Sequence, residues 1–498
     1  MKLFLEQKEA SLLTKVSGLL SQENIDSYLV GGYVRDTLLG RPTRDVDIAV
    51  NALAPEEAKK VATALKAKYV LLDKVNEIAR VVFIEDDPAQ GNRWHLDFST
   101  IRGGIEADLS HRDFTINAMA VNLRELAEGR PQLIDPFQGK RDLDRGLIRV
   151  VSETAFQEDP ARLLRAVRLA AEYGFNIEER TEALIQAQSQ LIGQVAGERV
   201  REELCRLLST RNTADFLYYL DHLGLLTAII PELAPTKGVE QPMEHFWDVF
   251  HHSVETVASV ERLLGTGNSE HGDILSLVPR PPTFRQHFEE EVSGGVTRST
   301  LLKLAALLHD IAKPQTKSLE PSGRARFLGH TKEGAIMAGD ILQRLRFSTR
   351  ETKLVQKMIE SHLRLWQMGG EGKPTSRAIY RFFRDTGDAS MDIIFLTLAD
   401  FLATQGPNLD RGEWRQHCQL MDYILSQQER EKEKVTPEKL IDGHDLINVF
   451  GLEPGPKIGE LLEAVREARG IGEVTTREEA LALARRQLAQ RKPSKKVV

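Results

Sequence analysis

The hydrophobic periodicity of this chain changes once, and that change dictates its architecture. From about Tyr28 to Val151, short apolar segments alternate with helical ones; SYLV, DVDIAV, YVLLD, ARVVFIE, HLDFST and INAMAV all read as strands. From Glu158 onward the period is helical almost everywhere, as in ARLLRAVRLAAEYGF, RVREELCRLLS, LLKLAALLHDIA and TKLVQKMIESHLRLW. The expected fold is therefore α+β, an α/β head that holds the strands followed by an all-helical body. At 498 residues the chain exceeds one core and divides into three or four domains. Turn clusters at 231–242, 265–300 and 451–459 break the body, and the second, with PRPP and EEEVSGG, reads as a long surface insertion between two helices.

Composition narrows the class. The chain is 41% hydrophobic and 28% charged, and its apolar runs fall far short of the ~20 residues of a membrane span, so no membrane helix is expected. The opening MKLFLEQKEASLLTKV lacks the continuous apolar core of a secretory signal. Two cysteines, Cys205 and Cys418, cannot build a disulfide framework and point to a reducing cytoplasm. A net charge of -7 argues against a global field for nucleic acid. Arginines nevertheless crowd 162–206, and the final ARRQLAQRKPSKKVV is basic, so any polyanion contact is expected to be local.

The stretch YLVGGYVRDTLLGRPTRDVDIAV carries the first chemistry. Val30 ends a strand, and Gly31 and Gly32 precede a helix expected from Val34 to Leu39, an arrangement whose bare amides suit phosphate oxygens. Arg35 adds a fixed cation; a tight turn alone explains the glycines equally well. Asp45 and Asp47 stand at i and i+2 of a strand, so both carboxylates project to one face. Two like charges so placed repel unless a cation sits between them, and hard oxygens at that spacing suit Mg²⁺. The plain alternative is a solvated strand edge with an Arg44 ion pair.

Gly31 to Asp36, then Leu38-Leu39-Gly40 and Asp45-Val46-Asp47-Ile48, closely resemble the signature of class II tRNA nucleotidyltransferases and bacterial poly(A) polymerases, of the polymerase-β-like superfamily. HRDFTINAMA at 111–120 resembles the second family motif, DPFQGKRDLDRGLIRVV at 135–151 the hinge to the neck, EDPARLLRAVRLAAEYGF at 158–175 the amino-acid template for the incoming base, and GERVREEL at 197–204 the last neck element. The resemblance covers about 1–210. It implies that Asp45 and Asp47 are catalytic and hold Mg²⁺, and that Gly31, Gly32, Arg35 and Arg112 hold the triphosphate. Asp113 would select ribose, with Asn117 a further nucleotide-binding position; Asp159 and Arg162 would hydrogen-bond CTP or ATP, and Arg165 and Arg168 support the triphosphate or template. The neck's own spacing agrees: Arg162, Arg165 and Arg168 drift by only ~60° each and share one polar arc opposite Leu163, Leu164, Val167 and Ala171. Surface Glu/Arg pairing is the bland reading of that helix.

Two departures bear on substrate choice. Only GGIEA separates HLDFSTIR from a helix expected near Asp108, where family members that add complete CCA carry a longer flexible loop; the short form resembles the CC-adding subgroup. His111 stands where the family usually has arginine. Asp97 is a candidate third metal carboxylate if its strand runs beside Asp45 and Asp47.

A second constellation lies in the helical body: His252, His309-Asp310, His330, His362 and Asp400. Pro314 is expected to terminate the helix that carries the His-Asp pair. Burying such a pair is costly without a cation or hydrogen bonds. The set, over about 245–405, resembles the HD phosphohydrolase superfamily, which implies one or two divalent ions such as Mn²⁺, Ni²⁺ or Mg²⁺. The tail, from LIDGHDLINVF on, resembles the tRNA-holding domain of such enzymes, and Gly455-Pro456 with Gly459 would open a helix there.

The expected organisation is a nucleotidyltransferase head at 1–150, a helical neck at 151–240, an HD-type helical domain at 241–405 and a helical tail at 406–498. The expected partners are tRNA and CTP, with ATP as a further nucleotide, and neither DNA nor membrane. An A-adding enzyme or poly(A) polymerase, or an HD phosphohydrolase with an RNA-binding head, stay open as alternatives.

Overall fold

The computed structural model describes residues 6–84, 93–242, 245–266, 272–368, 373–433 and 440–490. The last eight residues of the basic terminus, and 267–271 of the 265–300 stretch, lie outside them. The chain forms two compact units, one of Met1–Leu207 with Tyr219–Ile229, the other of Leu208–Tyr218 with Ile230–Val498.

The first unit is built on a sheet of seven strands, β1 (Ser27–Val30), β2 (Asp45–Val50), β3 (Lys68–Asp73), β4 (Ile78–Ile84), β5 (Arg93–Thr100), β6 (Ala120–Asn122) and β7 (Leu133–Ile134), in the order β3-β4-β5-β2-β1-β6-β7. All neighbours are antiparallel except β2 and β5. β2 is central, so its aspartates do not lie on a sheet edge, although Asp45 at the start of the strand is exposed. Val46, Ile48, Leu96 and Phe98 alternate with the polar positions of β2 and β5 and are fully buried, as a period of two demands. The helix Ala54–Ala64 packs Ala58, Val61 and Ala62 against this sheet.

Three local expectations in the head shift. INAMAV is not one strand: Thr115–Asn117 is a 3₁₀ turn and only Ala120–Asn122 pairs, because a short apolar run fits a buried turn as well as a strand. The helix after β1 spans Gly31–Leu38, so both glycines belong to its first turn instead of preceding it. The helix after β5 begins at Ile105, three residues before Asp108, capped by Gly104 at φ 94°.

The neck helix Ala161–Tyr173 buries Leu163, Leu164 and Val167 and stops at Gly174, whose φ of 69° suits glycine. Arg168, on its polar arc, is buried as well.

The second unit is helical around Ser390–Gln405, whose residues 390–403 are all buried, against Val249–Leu264, Arg298–Leu308 and Thr349–Ser361. Strands do not vanish after Glu158, however: short pairs occur at Glu291–Ser293 with Val296–Thr297 and at Lys317–Leu319 with Ala325–Phe327. The described part of the 265–300 stretch is no plain surface insertion, since Val278, Phe288, Val292 and Val296 are buried. The helix bearing the His-Asp pair ends at Leu308; Pro314 instead sits in the first turn of the short helix Lys313–Thr316, where its missing N–H costs nothing.

Candidate active site and candidate metal centre

In the first unit, the parallel register of β2 and β5 sets Asp45 opposite His95 and Asp47 opposite Asp97, so three carboxylates share one face of the sheet. They differ in environment. Asp45 is exposed and its Oδ1 lies 3.0 Å from His95 Nδ1. Asp97 is held by Arg80, its partner on β4, through two hydrogen bonds of 2.7 Å. Burial lifts Asp47 to a pKa of about 6; Arg112 opposes that shift, and the neighbouring Asp97 and Asp45 add to it. An acid cluster this crowded is short of positive charge.

Gly31, at φ 66°, opens the helix beside it, and a Cβ there would fall 2.7 Å from Arg112 Nη1 and 3.2 Å from Asp47 Oδ2. Glycine therefore keeps open a cradle between a cation and an acid. Arg112 is steered by Asp108, which accepts from its Nε and Nη2 at 3.1 and 3.0 Å. Arg35 is buried and firmly tied: it donates to both Asp36 oxygens at 2.9 Å, to Asn117 Oδ1 at 2.6 Å and to the Tyr173 hydroxyl at 2.5 Å. It is a fixed cation as expected, but one largely neutralised by its own neighbour.

Asp113 accepts hydrogen bonds from Asn117 Nδ2 at 2.9 Å, the Phe114 amide at 2.8 Å and Arg165 Nη1 at 3.3 Å. Burial alone would raise its carboxyl; Arg165 and these hydrogen bonds outweigh it and hold the group below its usual range. A cavity of about 400 Å³ collects Gly32, Asp45, Asp47, Asp113, Asn117 and the inner ends of Arg165 and Arg168.

On the neck, Arg162 donates to the carbonyls of His111 at 2.7 Å and Ala155 at 3.3 Å. Arg165 and Arg168 do not stand free for a ligand: Glu203 accepts from their Nε atoms at 2.8 and 2.9 Å. Asp159 is clasped by Arg199, Nη1 to Oδ1 at 2.9 Å and Nη2 to Oδ2 at 2.7 Å. Sequence reasoning missed Arg199, Glu203 and Arg80. The first two stand four residues apart in GERVREEL, and that spacing, one face of a helix, was the available signal.

In the second unit, five segments converge. His252 lies in the helix Val249–Leu264, His309 and Asp310 just beyond Leu308, His330 at the start of His330–Arg344, His362 just beyond Ser361, and Asp400 in Ser390–Gln405. His252 with His309 and Asp310, His309 with His362 and Asp400, and Asp310 with His330 and His362 each offer ligand atoms within 4.8 Å of one another. His252 Nε2 faces His309 Nε2 at 3.2 Å and Asp400 Oδ1 at 3.0 Å. His330 Nε2 and both Asp310 oxygens, all buried, make no hydrogen bond of good geometry among the described residues, although Lys313 Nζ lies 2.6 Å from Asp310 Oδ2. Burial pushes His362 down to a pKa of about 3, aided by His309, so it is a neutral donor. Imidazole nitrogens and carboxylate oxygens converging in a buried cluster are what a cation's ligands look like, with Lys313 and His309 beside Asp310 offsetting its charge.

A mixed sheet that presents paired carboxylates beside a glycine-opened helix is suited to holding a metal ion next to a phosphate, the class of site a nucleotidyltransferase needs. Residues 27–149 match the poly A polymerase head domain, 174–237 the family described as "Probable RNA and SrmB- binding site of polymerase A", and 249–404 the HD domain. The chain is 32% identical over 464 residues to the A-adding tRNA nucleotidyltransferase of Deinococcus radiodurans, covering 92% of this chain and 94% of that one. It is 34% identical to the CC-adding tRNA nucleotidyltransferase of Thermus thermophilus, over 92% of both. In fold it resembles a CCA-adding enzyme in its apo form, with a TM-score of 0.64, 23% identity and coverage of 99% of this chain and 97% of the other. The chain belongs to the CCA-type tRNA nucleotidyltransferase family, with an HD domain in its second half. It is thus an enzyme. No helix among the described residues is long and apolar enough to cross a membrane.

Proposed function

We propose that the protein is a CC-adding enzyme that extends tRNA 3′ ends from CTP. The observation that carries the subtype is the four-residue connection between β5 and the helix at Ile105, too short for a flexible loop that could re-aim the base-reading residues. Relatives named for CC addition and for A addition both match over nearly the whole chain, so nucleotide choice is the property to test.

In this reading Asp45 and Asp47, with Asp97 beside them, hold Mg²⁺, which when bound supplies positive charge to the reacting phosphate and eases deprotonation of the attacking hydroxyl. The fit rests on the raised carboxyl of Asp47 and on the space Gly31 leaves at its Oδ2. Amides of the glycine turn and Arg112 receive the triphosphate of CTP; Arg35 and Asn117 fix the floor beneath it. Asp113 accepts from the ribose hydroxyl. Asp159 and Arg162 read the cytosine edge, Asp159 being oriented for that task by Arg199. Arg165 and Arg168, both held by Glu203, brace this helix and so support the triphosphate or the template through its position.

The head is taken as 1–150, the neck as 151–240, the HD-type domain as 241–405 and the tail, which holds tRNA, as 406–498. Neither cysteine is in a disulfide and both are buried, which suits the reducing cytoplasm. The test offers tRNA transcripts ending before CCA, and others ending in CC, with CTP or ATP alone. Two added cytidines and no adenosine support the reading, whereas adenosine addition to a transcript ending in CC overturns it.

A second reading is favoured by the convergence of six buried His and Asp ligands: the HD cluster holds a divalent ion and hydrolyses phosphoesters. Its imidazole-rich donors favour Mn²⁺ or Ni²⁺ over Mg²⁺. A phosphodiester assay with each ion tests it, and silence with all three removes it.

A further inference from the structure

A cavity of about 620 Å³ in the second unit shares no lining residue with the HD cluster or with the head site. One wall is aromatic. The rings of Trp366, Phe401 and His417 lie 4.7 to 5.4 Å apart, centroid to centroid, with interplanar angles of 17° to 31°. Trp414 stacks behind Phe401 at 5.9 Å and 23°. Trp414 is fully buried, but Trp366 is 40% exposed, so this cluster of flat rings has one member open to solvent.

Other residues lining the cavity are polar. Glu413, Gln416 and Gln419 are exposed positions of the helix Arg411–Glu433, and Lys373 reaches the same cavity with its amine 5.2 Å from the Tyr423 ring centroid. One observation shows that the wall is not simply apolar packing left half covered. His417 is only 7% exposed, yet its Nε2 finds no hydrogen-bond partner among the described residues. A buried ring nitrogen in the wall of a cavity and without a partner is a group that a ligand can satisfy.

A planar heterocycle matches these parts. Every nucleobase has a π-face to lay on Trp366, and base–aromatic stacking is a sequence-tolerant source of binding. A carboxylate and two amides at the rim suit a base edge that bears an exocyclic amine, since a carboxylate only accepts. The lysine supplies the cation for an attached phosphate. We propose that this cavity is a second nucleotide-recognition site: an amine-bearing nucleobase stacks on Trp366, its edge meets Glu413, Gln416 and Gln419, and its phosphate meets Lys373. The inference rests on the reading of the chain as an enzyme of nucleotides and RNA. The base belongs either to a free nucleoside monophosphate or to a bound tRNA.

Photo-crosslinking of the full-length protein with 8-azido-AMP, followed by peptide mapping, tests it. Label is expected on the peptides that contain Trp366 or Tyr423, separately from any label in the head. Competition by AMP and CMP but not UMP identifies a free nucleotide, and competition by tRNA alone identifies a base within RNA; both support the site. Trp366→Leu is expected to raise the half-labelling concentration about 5- to 150-fold, the span of base–aromatic stacking. Lys373→Ala, an exposed change that leaves folding intact, is expected to raise it about tenfold. Both variants are checked for CTP addition and melting temperature. Label confined to the head, with normal CTP addition, overturns this inference and leaves the proposed function standing. No CTP addition by the unaltered protein sinks the proposed function instead. Equal competition by UMP and CMP overturns the amine-reading rim.

Discussion

Arg199 closes on both carboxylate oxygens of Asp159, across forty residues of chain. The side chain proposed to read the base is thus aimed by a partner on another helix. Burial would raise Asp159, but Arg199 outweighs it and keeps the carboxylate charged, a pure acceptor. Arg199→Ala is expected to blur nucleotide choice more than it harms the fold. A charge-assisted hydrogen bond is worth about 1.5–3 kcal/mol, so the ratio of kcat/KM for CTP over ATP falls roughly 10- to 100-fold. Arg199 is half exposed, so the melting temperature hardly moves. An unchanged nucleotide ratio removes the aiming role.

The second prediction concerns Gly31. Its φ of 66° and the 2.7 Å approach of Arg112 leave no room for a methyl group. Gly31→Ala forces Arg112 or Asp47 aside, and a misplacement of about 1 Å at reacting groups costs on the order of 10²-fold in rate. Asp47→Ala, which removes a proposed metal ligand, is expected to cost more, about 10³-fold or beyond, in keeping with several kcal/mol of lost charge stabilisation. Asp97→Asn disturbs the pairing with Arg80, the field at Asp47 and the candidate third metal carboxylate, for about 10- to 100-fold. Steady-state CTP incorporation ranks the three, and a harmless Gly31→Ala contradicts the cradle.

How much of this was legible in the sequence depends on the reach of each interaction. Asp45 and Asp47 were readable because strand parity is local and fixed at two. That Asp97 lies level with Asp47 was not, because β2 and β5 are separated by two strands and their register is set by core packing of Val46, Ile48, Leu96 and Phe98. The arc of Arg162, Arg165 and Arg168 followed from helical spacing, whereas its internal neutraliser, Glu203, comes from a different helix. In the HD cluster the residue types were evident, but His309 and His362 lie just past helix ends, positions that periodicity does not fix. The aromatic cluster around Trp366 gave no sequence signal, since Trp366, Phe401 and His417 come from three separate helices.

The third prediction follows from Glu203. Its side chain is 7% exposed and bridges Arg165 and Arg168. Burial raises its carboxyl, yet Arg168 and then Arg165 outweigh that and hold the folded value below the ordinary 4.5. A depressed carboxylate adds stability that is complete above its unfolded pKa and is lost as pH falls through the folded one. Glu203→Gln leaves two arginines with less compensation in a buried site, at about 3 kcal/mol. Urea melts should show that deficit at pH 7 and a narrowing gap between the two proteins below about pH 4. A gap constant with pH refutes the ionic account.

The last prediction separates the two candidate metal sites. The HD ligands come from five segments of one helical unit, so an ion there ties together elements distant in sequence and stabilises the folded state by mass action. A chelator is expected to lower the melting temperature by several degrees, and Mn²⁺ or Ni²⁺ to restore it better than Mg²⁺. His309→Ala removes the residue that belongs to two of the three ligand groups, so elemental analysis should find the bound transition metal lost while CTP addition with Mg²⁺ persists. Asp47→Ala should give the reverse pattern, metal content intact and addition abolished. A His309→Ala protein that keeps its full metal content places the ion elsewhere and empties the HD cluster of its proposed chemistry.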